Sequence, residues 1–151
     1  MEEIYRCPSD NVWQRIAFAG DNNGGRGLYR FSYSMNICFG NKRPDATGTT
    51  FDPQRTKHMQ VQRLRRASEK IIYVDESEKS VNNGEFNPTV QLANADDPSK
   101  DYSAIAERHE VRSKRNSQDA RGNVAFADGH AEFFSRKDAF KVVYHFDPES
   151  P

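Results

Sequence analysis

The chain has 151 residues, in which 22 basic side chains balance 22 acidic ones and 35% are hydrophobic. That length fits one domain, and the neutral balance excludes a global electrostatic pull toward nucleic acid or an anionic membrane. Disorder needs high net charge as well as few apolar residues, and three leucines against ten phenylalanines and nine valines favour a sheet with long polar loops over a helix bundle.

No run approaches the length of a transmembrane helix, and Met1 opens no signal peptide. A soluble cytoplasmic chain is the simple reading; a chain that begins after a removed anchor is the other. Cys7 and Cys38 are too few for a disulfide framework or a cysteine-only zinc site. They are read as either a single disulfide or two free buried thiols.

Residues 21–27, DNNGGRG, form a turn cluster. They lack the Lys-Ser/Thr of a phosphate loop and the spacing of a dinucleotide fingerprint. Residues 28–37 alternate as a half-buried strand, with Tyr29, Phe31, Tyr33, Met35 and Ile37 expected inward and Arg30, Ser32, Ser34 and Asn36 outward. Residues 40–58 read as polar loop. Residues 55–70 are locally basic (Arg55, Lys57, His58, Arg63, Arg65, Arg66, Lys70) but lack aromatic residues for base stacking, so they read as a solvated charged segment.

Ile71-Ile72-Tyr73-Val74 reads as a buried central strand ending at the carboxylates of Asp75 and Glu76. A long loop over 77–100, a helical turn near 101–106 and a polar insertion over 107–122 follow. Residues 123–134 form a hairpin whose Asp128-Gly129 pair predicts a two-residue type I′ turn, pairing Phe126 with Ala131 and Val124 with Phe133. That register puts Val124, Phe126, Ala131 and Phe133 on one apolar face. Residues 141–151 read as a tail beyond a core of about 5–140.

The metal-ligand candidates are Asp75, His109 and Asp128, which would meet if both strands ended at the same edge of the sheet. Calcium or another divalent ion suits such an oxygen-rich set, and zinc or manganese would suit two carboxylates with an imidazole. The alternative is a polar pin in which Arg108 or His109 bonds Asp75 or Asp128. Neither Ser103 near His109 nor Cys7 with His58 or His109 has a spacing that identifies a nucleophile, so the expectation is not an enzyme.

The order Cys7-Pro8-Ser9-Asp10, Ser32-Tyr33-Ser34-Met35-Asn36, Asp75, Arg108-His109 and Asn123-Val124-Ala125-Phe126-Ala127-Asp128-Gly129-His130 resembles the prepilin-type H-X9-DG family over roughly residues 5–140. This family is pseudopilin-like and related to the major pseudopilin of type II secretion. The resemblance implies an α+β, β-rich fold, a pilin-like antiparallel sheet with long loops, here without the N-terminal anchor helix. It implies a structural or accessory subunit of a secretion pseudopilus or surface filament, periplasmic, inner-membrane-attached or extracellular, with other pilin-like subunits as partners and membrane contact only through the missing helix. Between His109 and Asp128 stand 18 residues where the family name specifies nine, so the resemblance carries no fixed contact between them. Related pseudopilins can bind calcium in a C-terminal loop, but no such loop motif is present. Two other functions are read beside it: a soluble glycan-binding module using Trp13, Tyr29 or Tyr102, and a metal-dependent hydrolase using Asp75, His109 and Asp128.

Overall fold

A computed structural model describes residues 5–10, 30–40, 59–78, 80–81, 84–88, 104–110, 119–139, 141 and 145–150. The turn cluster at 21–27, Tyr29, most of the loop at 40–58, Trp13, Tyr102, Ser103 and half of the insertion over 107–122 lie outside them. Five strands form one sheet: β1 (Tyr33–Asn36), β2 (Ile71–Asp75), β3 (Glu85–Phe86), β4 (Arg121–Phe126) and β5 (Ala131–Ser135), in the order β3-β1-β2-β4-β5. A helical turn, α1 (Arg136–Ala139), follows β5 directly. The fold is β-rich, as expected, but the sheet is mixed rather than antiparallel. The cause is β3, which emerges from the loop expected over 77–100 and pairs parallel to β1, with Met35 N donating to Gly84 O at 2.8 Å.

The apolar run that begins at Ile71 does form the central strand. It pairs antiparallel with both β1 and β4. A register shift between Ile71 and Tyr73 interrupts strict alternation, so Ile71 and Val74 are both buried while Tyr73 is 45% exposed. The core comprises Ile71, Val74, Phe86, Ile105, Val124, Phe126, Ala139 and Phe146, with Phe134 packed against it. Each such large side chain contributes roughly 1.5–3 kcal/mol by leaving water. Phe146 stacks on Phe86 at 5.4 Å, so the tail expected outside the core supplies part of it.

β1 reverses the expected faces. Ser32, Ser34 and Asn36 are fully buried, and Met35 is 37% exposed. Hydrogen bonds outweigh hydropathy at Ser32 and Asn36, whereas Ser34 Oγ is buried with no hydrogen-bond partner among the described residues. Asn36 Nδ2 donates to Ile71 O at 2.8 Å and Phe146 O at 2.9 Å, and its Oδ1 accepts from Cys38 N at 3.0 Å. Ser32 Oγ accepts from Cys7 N at 2.8 Å and donates to Asp10 Oδ2 at 2.6 Å. A buried polar group with satisfied bonds is tolerated, and these stitch loops to the strand.

The hairpin forms, with another turn and another register. Phe126 N donates to His130 O at 2.9 Å and Gly129 N to Phe126 O at 3.0 Å, so the loop is three residues, 127–129. Gly129 takes φ +96°, whereas Asp128 is not among the residues with positive φ. A three-residue loop needs the left-handed conformation only at its last position, and a type I′ turn would need it at two. Val124 therefore faces Glu132, and Ala125 faces Ala131. Phe133 moves to the outer face, 38% exposed, while Phe134 joins the core.

Lys70, expected among solvated basic residues, is fully buried, with Nζ donating to Ser150 Oγ at 2.8 Å. Among the described residues no helix is long and apolar enough to cross a membrane.

Candidate functional site

The C-terminal end of β2 is covered by two segments. Residues 104–106 run beside it as a short extension of the sheet. Ala106 N donates to Asp75 O at 2.6 Å, Ser77 N donates to Ala104 O at 2.8 Å, and Glu76 bridges to Ile105. Gly122 on β4 permits this approach: a Cβ there would overlap the Ala106 carbonyl oxygen and the Ile105 side chain. Arg136, at the start of α1, holds the segment from the other side, donating to Ile105 O at 2.8 Å and to Glu107 Oε2 at 2.9 Å. Residues 5–10 arrive from the N-terminal side through Ser32, whose N–H donates to Tyr5 O at 2.9 Å.

These two segments bring Cys7, Arg108 and His109 onto Asp75. Arg108, with a side chain only 4% exposed, donates through Nη1 to Asp75 Oδ1, through Nε to Glu78 Oε1 at 2.9 Å, and through Nη2 to Glu76 O at 2.8 Å. Asp10 Oδ1 lies 3.8 Å from the same guanidinium. Burial opposes the Arg108 charge, but the Glu78 hydrogen bond and the surrounding carboxylates hold its pKa above the usual value. Burial also pushes Asp75 up to about 6, against the pull of Arg108 and His109.

His109 Nε2 lies 3.1 Å from Cys7 Sγ and 3.6 Å from Asp75 Oδ2. The three donor atoms all fall within 4.8 Å of one another. One nitrogen thus faces both thiol and carboxylate. A nucleophilic relay needs the carboxylate on the opposite ring nitrogen, where it can hold the tautomer. The observed arrangement is convergent instead: a sulfur, a nitrogen and an oxygen around one point.

No family model, curated protein or solved structure matches the chain.

Of the ligand set expected from sequence, Asp75 and His109 do meet, but Asp128 does not join them. β2 and β4 run antiparallel, with Ile71 opposite Phe126, so the turn at Asp128 lies beyond the end of β2 opposite to Asp75. Asp128 is exposed and serves its own turn: Oδ1 accepts from His130 N at 3.1 Å and sits 2.6 Å from His130 Nδ1. The His130 amide holds its carboxyl below the usual range. Of the expected polar pin, Arg108 on Asp75 is present. Cys7 takes the place expected for Asp128 and is not bridged to Cys38; both cysteines are reduced and buried.

The same sheet face continues away from the cluster as an open groove. Tyr33, Tyr73, Asn123, Ala125 and Phe133 line it, and Asp75 stands at one end. Met35 extends the exposed apolar surface beside Tyr73.

Proposed function

We propose that the chain is a non-enzymatic structural or accessory subunit of a pilin-like assembly outside the cytoplasm, partnered by other pilin-like subunits. The observation that carries this reading is the outer sheet face. Tyr73, Met35 and Phe133 are 45%, 37% and 38% exposed. They lie on β2, its neighbour β1, and β5, which is separated from β2 by β4. A sheet buries one apolar face against its own core; a second one finds its stable partner in another packed layer. In a pilin-like assembly that layer is an apolar helix. The order of motifs from Cys7-Pro8-Ser9-Asp10 to the Asp128-Gly129 turn supports the same reading.

The test is incorporation into the assembly. Tyr73→Glu and Phe133→Glu place a charge on side chains that are already partly in water, so circular dichroism and the melting curve should stay close to wild type. Both variants should disappear from the sheared filament or envelope-assembly fraction in which the wild-type chain is recovered. Equal recovery of the variants would sink the proposal. Oligosaccharide binding lost in the same variants, with no wild-type chain in any assembly, would identify a glycan-binding module instead.

A further inference from the structure

We infer that Cys7, Asp75 and His109 form a binding site for a thiophilic divalent ion of the zinc class. The site is independent of the assembly reading and stands on the geometry at the end of β2.

The spacing suits the ion. Tetrahedral zinc, with bonds of about 2.3 Å to sulfur and about 2.0–2.1 Å to nitrogen or oxygen, places its ligand atoms about 3.3–3.6 Å apart. Here the sulfur–nitrogen separation is 3.1 Å and the nitrogen–oxygen separation 3.6 Å. A small opening of the Cys7–His109 pair would admit the ion.

A second observation points to a ligand. Asp75 is fully buried, and its Oδ2 has no hydrogen-bond partner among the described residues. A buried carboxylate oxygen left unbonded carries a desolvation penalty that a cation removes. The other oxygen, Oδ1, is taken by Arg108, which fixes the carboxylate plane and turns Oδ2 toward His109. This is the role that outer residues play around metal-bound carboxylates. Arg108 does not make the site electropositive, because Asp10, Asp75 and Glu78 all lie around it.

The donor set selects the metal. A cysteine sulfur with an imidazole favours zinc and its neighbours over calcium or magnesium, which take oxygen ligands. Three protein donors leave a fourth position for water, and the His109 side chain, 31% exposed, marks the open side. Cys7 binds as thiolate and releases its proton to solvent.

Cobalt(II) reports such a site directly. Added to the metal-free, reduced chain, it should give a thiolate-to-cobalt charge-transfer band and tetrahedral visible bands that saturate at one equivalent, and zinc should abolish them. Cys38→Ser should keep the signal. Cys7→Ser should lose the charge-transfer band. His109→Ala should weaken binding at least about tenfold. Cys7 is buried and its variant risks misfolding; His109 is partly exposed, so its variant keeps the test decisive. Zinc at a 100-fold excess over its wild-type dissociation constant should raise the wild-type Tm by about 5–10 °C and that of His109→Ala by no more than about half as much. No charge-transfer band in the wild type, a cobalt affinity unchanged in His109→Ala, or a band that follows Cys38 would each overturn the assignment.

Discussion

Arg108 carries the greatest electrostatic weight at the level of single residues. It is buried among Asp75, Glu78 and Asp10, and its removal would strand the fully buried carboxylates of Asp75 and Asp10. Breaking a buried ion pair from one side costs about 3–5 kcal/mol, far more than the pair contributes when compared with an apolar replacement of both partners. Arg108→Met is therefore expected to lower urea stability by about 3–5 kcal/mol. The exposed Arg66–Glu69 pair offers the contrast, with side chains 48% and 30% exposed. Glu69→Gln there should change stability by less than about 1 kcal/mol, as measured by the same urea titration. Equal losses at the two sites would show that Arg108 is more solvated than its burial implies.

At the level of elements, the site depends on how closely residues 104–106 approach β4. Gly122 is the residue that allows it. Gly122→Ala would force a Cβ into the Ala106 carbonyl and the Ile105 side chain, both in the segment that leads to Arg108 and His109. Overpacking of this kind costs about 1–3 kcal/mol. The expected outcome is a loss of that size in urea denaturation, with amide exchange accelerated first at Ser77 and Ala106, whose bonds tie the segment to β2. Uniform acceleration across the sheet would count against a local displacement. The hairpin teaches a related lesson about what alternation conveys. Its existence and its turn residues were readable, because Asp128-Gly129 follows an alternating run. Its register was not, because that depended on whether one or two loop residues take positive φ, and only Gly129 does. The difference of one position moved Phe133 from the core to the outer face.

At the level of the whole molecule, what could be read in advance was what is local. The run starting at Ile71 announced a central strand, and the scarcity of leucine announced a sheet. The burial of Ser32 and Asn36 could not be read, since a polar residue on an alternating strand looks outward unless its hydrogen-bond partners are known, and Phe146 O lies 110 residues from Asn36. The site was legible only in part for the same reason. Asp75 and His109 stood out as residue types, but Cys7 and His109 are 102 residues apart and no spacing links them. The same long-range closure makes stability depend on pH through the C-terminal segment. His145 is buried against Phe134, with Nδ1 3.0 Å from Glu69 O and Lys70, Asp138 and Lys141 nearby. Burial lowers its pKa below the ordinary 6.5. The unfolded chain then binds more protons than the folded one as pH falls through that value, so this contribution is present above about pH 6.5 and is lost on acidification. Asp75, pushed up to about 6, acts in the opposite sense, so the readout is the difference: between about pH 7.5 and 5.5 the wild-type Tm should fall relative to that of His145→Gln. An unchanged slope in the variant would assign the acid sensitivity elsewhere.

The attachment of residues 5–10 has a mechanical meaning. Tyr5 O, Cys7 N and Asp10 Oδ2 are all bonded to Ser32, next to the start of β1, and Cys7 Sγ reaches His109 across the end of β2. A tensile load entering the chain ahead of Tyr5 would meet these bonds before it reached any strand. Ser32 would act as the bollard, passing force into β1 and from there into the antiparallel pairing with β2. In a pulling experiment the first event would be release of the N-terminal segment, and a metal ion bridging Cys7 to Asp75 and His109 would raise the force at which it lets go.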